Sequence, residues 1–513
     1  MRFGCSQMRW ERPFRRRFVK PAETPHDDTP RTLACARTRM LRAGAVGLPP
    51  GQEAHMGQLD EAVSAGTETL ASYISGALAR TVPDDVLEKT KHHLLDTLAA
   101  AVSGSHLRAG TLATAYVRAL GGAPTCTVIG SSFLTNAVNA SLANGMMAHA
   151  DETDDSHLGG RFHPGCGIVP AALAASELSG ASGLALLNAV ALGYDIGTRF
   201  NLALGPRKLY AGGHSTHSVG PLFGGTAASA ALMGFSPEQV RFHLSYAVQQ
   251  ASGVQCWARD DQHVEKAFDF GGMTARNALS GATMVAAGFS GVADALSGDN
   301  NFFTAFSSDP RPDELWSELG VRYEIREGTI KKWCVGSPIQ GAIDAITLLM
   351  EERQLRADDV ERLVIELPDD RCRLVDDRSM PNINVQHLVA LTLVDGGMNF
   401  ESSHDIGRMA DKRIHALRAR ITLIPNAELT TALPPRQVLI RVTLKSGVEL
   451  EHRTHAVKGT PANPMTRQEV VDKAIDLLLP TLGEARTQQL IDTVMSLEAV
   501  ENASLALRPL LQS

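Results

Sequence analysis

The sequence predicts a mainly α protein in which a large all-helical domain carries an inserted, smaller α+β lid domain. Three observations lead there. From about residue 60 to 328, apolar residues recur at three- and four-residue intervals. Between about 329 and 457 the texture changes to short alternating runs broken by turn residues. From 458 onward helical spacing returns, which sends the chain back to the first domain. The expected divisions are 1–55, 56–328, 329–457 and 458–513.

The first 55 or so residues have no sustained period: MRFGCSQMRWERPFRRRFVK is arginine-rich, and PAETPHDDTP and GLPPGQ are punctuated by Pro and Gly. They read as a disordered extension, with a transit-like leader or a true start at Met56 as alternatives, and no apolar core of a secretory signal is present. The segments VLEKTKHHLLDTLAAAVSG, NAVNASLANGMMAHA, GLALLNAVALGYDIGTRFNLAL and PEQVRFHLSYAVQQASG then read as helices whose many small residues permit close packing. His92 and His93 fall inside one of them and read as packing or surface residues. Further on, SPIQGAIDAITLLMEER reads as a helix, whereas ERLVIELPD, ARITLIPN and RQVLIRVTLKSGVELEHRTHAV read as strands with a Lys-Ser-Gly turn. The stretch TRQEVVDKAIDLLLPTLGEARTQQLIDTVMSLEAV closes the helical body. A domain inserted over a helical body creates a cleft, where sites commonly form.

Composition narrows the function classes. The chain of 513 residues is 44% hydrophobic and 20% charged, long enough for two or more domains. A net charge of −7 without a basic stripe in the main body argues against nucleic acid, and no charge-free apolar run approaches the ~18–20 residues of a membrane span. The glycine loops match neither phosphate-binding nor dinucleotide-binding patterns. Cys5, Cys35, Cys126, Cys166, Cys256, Cys334 and Cys372 are scattered without a Cys-x-x-Cys pair, which fits a reduced cytoplasmic protein and offers no cradle for an iron–sulfur cluster.

Chemistry concentrates in three segments. In HADETDDSHLGGRFHPG (149–165), three histidines and four carboxylates crowd together. Helical spacing would put His149, Glu152 and Ser156 on one stripe, with Asp151, Asp154 and Asp155 on the next. Gly159-Gly160 stops such a helix, and His163-Pro164-Gly165 opens another whose free N–H groups could face an anion. An acidic, solvated helix end is the plainer alternative. A metal site is the rival reading, since His149, Asp151, Asp154, Asp155, His157 and His163 are acceptable ligands, but their spacing matches no tight motif. The second segment, AGGHSTHSVGPLFGGTAASAALMGF (211–235), places His214, Ser215, Thr216 and His217 before a helix of small residues. These donors suit a carboxylate, although Ser-Thr is also a common helix cap. The third, WARDDQHVEKAFDFGGMTARNALSGATMVAAGF (257–289), adds Arg259, His263 and Lys266; the plainer alternative is an exposed charged turn in which Arg259 or Lys266 pairs with Asp260, Asp261 or Glu265.

These segments, together with KKWCVGSPIQGAID, resemble the MmgE/PrpD family, which includes 2-methylcitrate dehydratase, cis-aconitate decarboxylase and iminodisuccinate epimerase. The resemblance runs from about residue 60 to the end. It implies a helical domain with an inserted lid, a homodimer, no metal or organic cofactor, and a substrate site lined by Glu152, Ser156, His163, His214 and Lys266, with His163, His214, Lys266 and Glu152 as the catalytic candidates. Asp155, Ser215, Thr216, His217, Arg259, His263 and Gln340 are the expected substrate contacts. Glu152 and Ser156 stand where the decarboxylase pattern has Asp and Thr, which keeps the functional groups. Gln340 stands where many relatives carry histidine, and Asp269 where a Lys-x-x-His run is frequent; glutamine cannot move protons, which counts against decarboxylation. His387 is a possible substitute.

Chemistry of this kind labilises a bond next to a carboxylate, so charge developing on oxygen must be stabilised and a base must take the proton. Lys266 and the helix starts suit the first task, His163 or His214 the second, and Glu152, if protonated among its acidic neighbours, could protonate a leaving group. The expectation is a hydro-lyase acting on a small polycarboxylate like 2-methylcitrate. A dicarboxylate epimerase, then a decarboxylase, then a non-enzymatic carboxylate-binding protein are the alternatives.

Overall fold

The computed structural model describes residues 63–513, so the expected extension 1–55 and Met56 lie outside the described residues. Helices dominate: α1 (Asp84–Gly104), α2 (Ala137–Ala148), α3 (Gly165–Ser179), α4 (Gly183–Leu204), α5 (Thr216–Leu232) and α6 (Met273–Ala286) form the body. Asp84 and Asp85 in the first turn of α1 complement its N-terminal dipole, and the C-terminal half of that helix is buried throughout. No described helix is long and apolar enough to cross a membrane.

Two hydrophobic cores are present. The first gathers buried residues from Leu70 to Cys334 and resumes with Met465 to Leu511. The second is built from residues between Val335 and Val442. It is formed where α7 (Gln340–Arg353) and α8 (Val385–Asp395) cover a four-stranded sheet of β1 (Val360–Pro368), β2 (Ile421–Asn426), β3 (Val438–Leu444) and β4 (Glu449–Thr454). The strand order is β2-β1-β3-β4: β1 runs parallel to β2 and antiparallel to β3, and β3 is antiparallel to β4. On β3, Val438, Ile440 and Val442 alternate inward, as the period of two requires. The chain then returns to the body through α9 (Arg467–Met495), which bends at Gly483 (φ +72°).

Small residues bring the helices of the body to backbone contact. A Cβ on Gly197 of α4 would stand 2.4 Å from the Gly220 carbonyl oxygen of α5. Likewise, a Cβ on Gly145 of α2 would stand 2.4 Å from the Gly271 oxygen, and one on Gly271 would stand 2.0 Å from the Gly145 oxygen. Gly271 belongs to a π turn, Phe268–Gly272, wedged between a short helical turn Val264–Ala267 and α6. The contact therefore fixes the segment carrying Lys266 and Phe270 against the end of α2.

One local expectation fails. Residues 149–156 are not helical: α2 ends at Ala148, and His149 (φ −121°) caps it. The reason is local competition, because the Asp151 carboxylate accepts from Thr153 N at 2.9 Å and Thr153 Oγ1 at 2.7 Å, folding the chain into a turn in place of a further helical one.

Replacing Gly145 with Ala should overpack this contact and lower stability by about 1–3 kcal/mol, read from the urea midpoint. Gly397→Ala, at a glycine with nothing within 4 Å of its would-be Cβ, should leave the midpoint nearly unchanged.

Candidate active site

The segment 149–165 links α2 to α3 and is buried almost throughout. At its centre Asp154 Oδ1 lies 2.9 Å from His149 Nδ1 and 3.0 Å from His163 Nδ1. An ionised carboxylate only accepts, so both rings must donate through Nδ1–H, and a neutral ring held this way keeps its lone pair on Nε2. His149 Nε2 is buried without a partner among the described residues. Burial alone would raise the Asp154 carboxyl, but the His149 and His163 rings outweigh it and hold the group well below the usual carboxylate range. Burial pushes His163 down to about 4, opposed by Asp154 and reinforced by Lys331. His163 is therefore a neutral imidazole at neutral pH.

Phe270 is a plate between two imidazoles, stacking on His149 at 4.3 Å and on His217 at 3.8 Å between ring centroids. His217 also lies 5.3 Å from His163 and meets Trp257 edge-on. His263, in the left-handed region at φ +57°, brings a fourth ring to 5.1 Å from His149. Burial and then Lys266 push His263 down to about 3. Burial and then His163 likewise push His217 well below its ordinary value.

The cations come from two segments. Lys266 forms an ion pair with Glu152 and sits 5.3 Å from the Phe270 ring centroid. The fully buried Lys331 donates to the Glu152 carbonyl oxygen at 2.6 Å and lies 3.7 Å from both Glu152 Oε2 and Asp154 Oδ1. Burial would raise Glu152, yet Lys266 and then Lys331 hold it well below the carboxylate range. The idea of Glu152 as a protonated acid is thereby corrected: two ammonium groups keep it ionised.

The other expected contacts divide. Ser156 is buried, beside the same cluster in sequence, with its Oγ unpartnered among the described residues. Asp155 is engaged by the protein itself, accepting from Tyr194 Oη at 2.6 Å, His93 Nδ1 at 2.5 Å and Gly165 N at 2.9 Å. The first N–H of α3, that of Gly165, thus meets the protein's own carboxylate. Ser215 donates to Asp269 at 2.5 Å and accepts from Trp257 Nε1 at 3.2 Å, so it does not cap α5. Burial raises Asp269 to about 7. Thr216 Oγ1 donates to the Arg161 carbonyl at 2.6 Å.

Three nominees stand away from the group. The half-buried His214 has its ring against Phe306, at 5.9 Å, and His217 takes the place beside His163 that His214 was expected to hold. Arg259 is exposed. Gln340 spends its amide on the backbone, accepting from Trp333 N at 3.0 Å and donating to the Trp333 and Val335 carbonyls at 2.7 and 3.0 Å. His387 is buried on α8, with neither ring nitrogen partnered among the described residues. Conversely, Lys331, His93, Tyr194 and His404 were not nominated. Only Lys331 had a signal, the Lys-Lys-Trp run.

Two trios, His149–Glu152–His263 and His149–Asp154–His163, have donor types and spacing that suit a cation. Both are already engaged, one by the Lys266 ammonium and the other by the two Nδ1 protons. A cleft of about 350 Å³ lies nearby, lined by Lys332, Trp333, Cys334, Phe400 and Lys473 among others.

The profile of the MmgE/PrpD N-terminal domain matches residues 68–315, and that of the MmgE/PrpD C-terminal domain matches residues 333–498. The chain is 26% identical over 475 residues to the cis-aconitate decarboxylase-like protein oryM of Aspergillus oryzae, covering 85% of this chain and 95% of that protein. It is 22% identical over 466 residues to a cis-aconitate decarboxylase of Aspergillus terreus (85% and 94% covered). Identity to the cis-aconitate decarboxylase of Homo sapiens is 24% over 461 residues (85% and 93%).

The depressed His163 value has a measurable consequence. Between pH 6.5 and about 4 the unfolded chain takes up a proton that the folded ring refuses, so this group makes stability fall as pH falls, by about 1.4 kcal/mol per pH unit. Urea midpoints of His163→Gln over that window should therefore slope less steeply with pH than those of the wild type, by the share of one group. Parallel slopes would show that His163 is not held neutral.

Proposed function

Given that the chain belongs to the MmgE/PrpD family, we propose that it is a lyase acting on a small polycarboxylate, and that the reaction is dehydration of a hydroxy acid resembling 2-methylcitrate. The observation that supports this most is the pair of imidazoles oriented by one buried carboxylate. Dehydration begins by removing a weakly acidic proton next to a carboxylate, which needs a base that is neutral at working pH and aimed at the carbon. His163 supplies such a neutral base: Asp154 orients its tautomer, and burial keeps the ring unprotonated.

The remaining roles follow from charge. As the C–H bond breaks, negative charge spreads onto the adjacent carboxylate, and the ammonium groups of Lys266 and Lys331 provide the opposite charge in a site shielded from water. Glu152 keeps both lysines in place, so they need no reorganisation when charge develops. In this reading the hydroxide leaves with a proton from Lys266 or from a ring that substrate binding has protonated. Ser156 contributes a free hydroxyl to hold the substrate.

Decarboxylation of an unsaturated tricarboxylate is the second reading, favoured by the relatives that are named cis-aconitate decarboxylases or cis-aconitate decarboxylase-like. Gln340, whose side chain faces its own backbone, supplies no proton donor for that reaction, so the donor would have to come from the imidazoles and lysines of the cluster. The two reactions call on the same groups in opposite senses: dehydration needs the base first, and decarboxylation needs a proton donor for the carbanion left after CO₂ departs.

Proton NMR of the protein with hydroxy-, amino- and unsaturated di- and tricarboxylates in deuterated water separates the outcomes. A vinylic product from a hydroxy acid supports dehydration. Loss of a carboxylate from cis-aconitate supports the second reading, and deuterium exchange with an intact skeleton marks an epimerase. With the active substrate, His163→Gln should lower kcat by about 10²–10⁴-fold while the fold persists, whereas Lys266→Met should weaken both binding and turnover. Undiminished rates in His163→Gln would remove it as the base.

A further inference from the structure

We infer that His404, brought in by a short segment of chain that follows α8, is a positioning residue: as an imidazolium it clamps Asp151 and so holds the turn that sets Glu152 and Asp154. Its catalytic meaning rests on the lyase reading above, whereas the clamp itself does not.

His404 ends a one-turn helix, Phe400–His404. Its Nδ1 lies 2.9 Å from the Phe400 carbonyl oxygen, and its Nε2 lies 2.8 Å from Asp151 Oδ2. Neither oxygen carries a hydrogen, so both ring nitrogens must donate, and only the doubly protonated ring satisfies both contacts. Two neutral neighbours are compatible. Ser403 Oγ, 3.0 Å from Nδ1, directs its own proton to the Phe400 carbonyl. The Asn382 amide, 3.2 Å from Nε2, accepts once its oxygen and nitrogen are exchanged, an assignment that rests on the hydrogen-bond network.

What the clamp holds is the local turn. Asp151 accepts from Thr153 N and Oγ1, and the Thr153 carbonyl accepts from Lys473 Nζ at 2.9 Å. Lys473 is itself paired with Asp96 at 2.6 Å. Glu152 and Asp154 flank Thr153, so their backbone positions are set by this pair of ties. Phe400 packs on the first core, and its N–H donates to Asp476 Oδ2 of α9 at 2.8 Å, which fastens the segment at a second point.

The charged groups around the ring are Asp151 from the site loop and Asp476 from α9, with Lys473 on the same helix and Glu401 on the ring's own turn. Burial alone would lower His404, but Asp151 outweighs it and the group lies above its ordinary value. Asp151 is held below the carboxylate range. The stabilisation from the raised imidazole is complete below the ordinary histidine value and is lost as pH rises through the folded one. On the acid side the contact persists until Asp151 protonates.

The test is a titration of the His404 ring by long-range proton–nitrogen NMR in the full chain, wild type and Asp151→Asn. The expected result is protonation of both nitrogens at neutral pH in the wild type, with titration falling to or below the ordinary value in Asp151→Asn. With an active substrate, His404→Gln should lower kcat/KM by about 10²-fold through misplacement of the turn, and should erase the part of the alkaline limb of the pH profile that His404 contributes. A singly protonated ring at neutral pH, or an unchanged titration in Asp151→Asn, overturns the clamp. If turnover is found and His404→Gln keeps the wild-type kcat/KM and pH profile, the positioning role falls while the lyase reading stands. Because the titration is read without substrate, absence of turnover would count against the lyase reading and leave the clamp decided.

Discussion

One carboxylate oxygen organises the centre of this protein. Asp154 Oδ1 receives an imidazole N–H from His149 and another from His163, and Lys331 stands 3.7 Å away. A buried charge in that position is tolerable only because its partners are this close and this well aligned. The same contacts fix which nitrogen of each ring faces Asp154, so the atoms that make the buried charge tolerable are also those the proposed reaction calls on. Other groups are arranged around this point. Phe270 separates His149 from His217, the lysines neutralise Glu152, and Asp155 ties α1, α3 and α4 together from behind.

The fold serves that arrangement through close approach. Where Gly145 and Gly271 meet, backbone touches backbone, and the π turn that contains Gly271 also carries Phe270 just after Lys266. The apolar plate and the cation are thus held by packing against α2, without relying on the polar groups they serve. The contribution from the chain around the second core is different in kind. It arrives through His404 and the connection at Lys331, as polar contacts that reach the site loop.

The helical body and the four strands were legible because burial imposes a period on the sequence, 3.6 residues in one case and two in the other. The histidine- and acid-rich segments stood out as a candidate site because such density is hard to explain as packing. Individual roles were not. The helical stripe assigned to His149, Glu152 and Ser156 was wrong because carboxylate-to-backbone hydrogen bonds obey no period, and Asp151 used one to end the helix. In HSTH the two histidines are three residues apart, and nothing in their spacing says that His217 faces His163 while His214 lies against Phe306. The lysines of KKW separate in the same way: Lys331 goes inward and Lys332 lies over the Trp333 ring. His404 sits in ESSHD, a run with every appearance of a surface turn, and only the contact across to Asp151 reveals its use.

The pairing of Glu152 and Asp154 with Lys266 and Lys331 has a further consequence. With the His163 and His263 rings neutral, these four groups balance one another, two carboxylates against two ammonium groups. A polycarboxylate entering such a set brings uncompensated negative charge close to imidazoles held far below their ordinary values, and each of them becomes easier to protonate. Substrate capture is then also proton capture from solution. The heat of binding in calorimetry would therefore vary with the ionisation enthalpy of the buffer, and affinity would strengthen as the medium is made more acidic, until the site's own carboxylates begin to titrate.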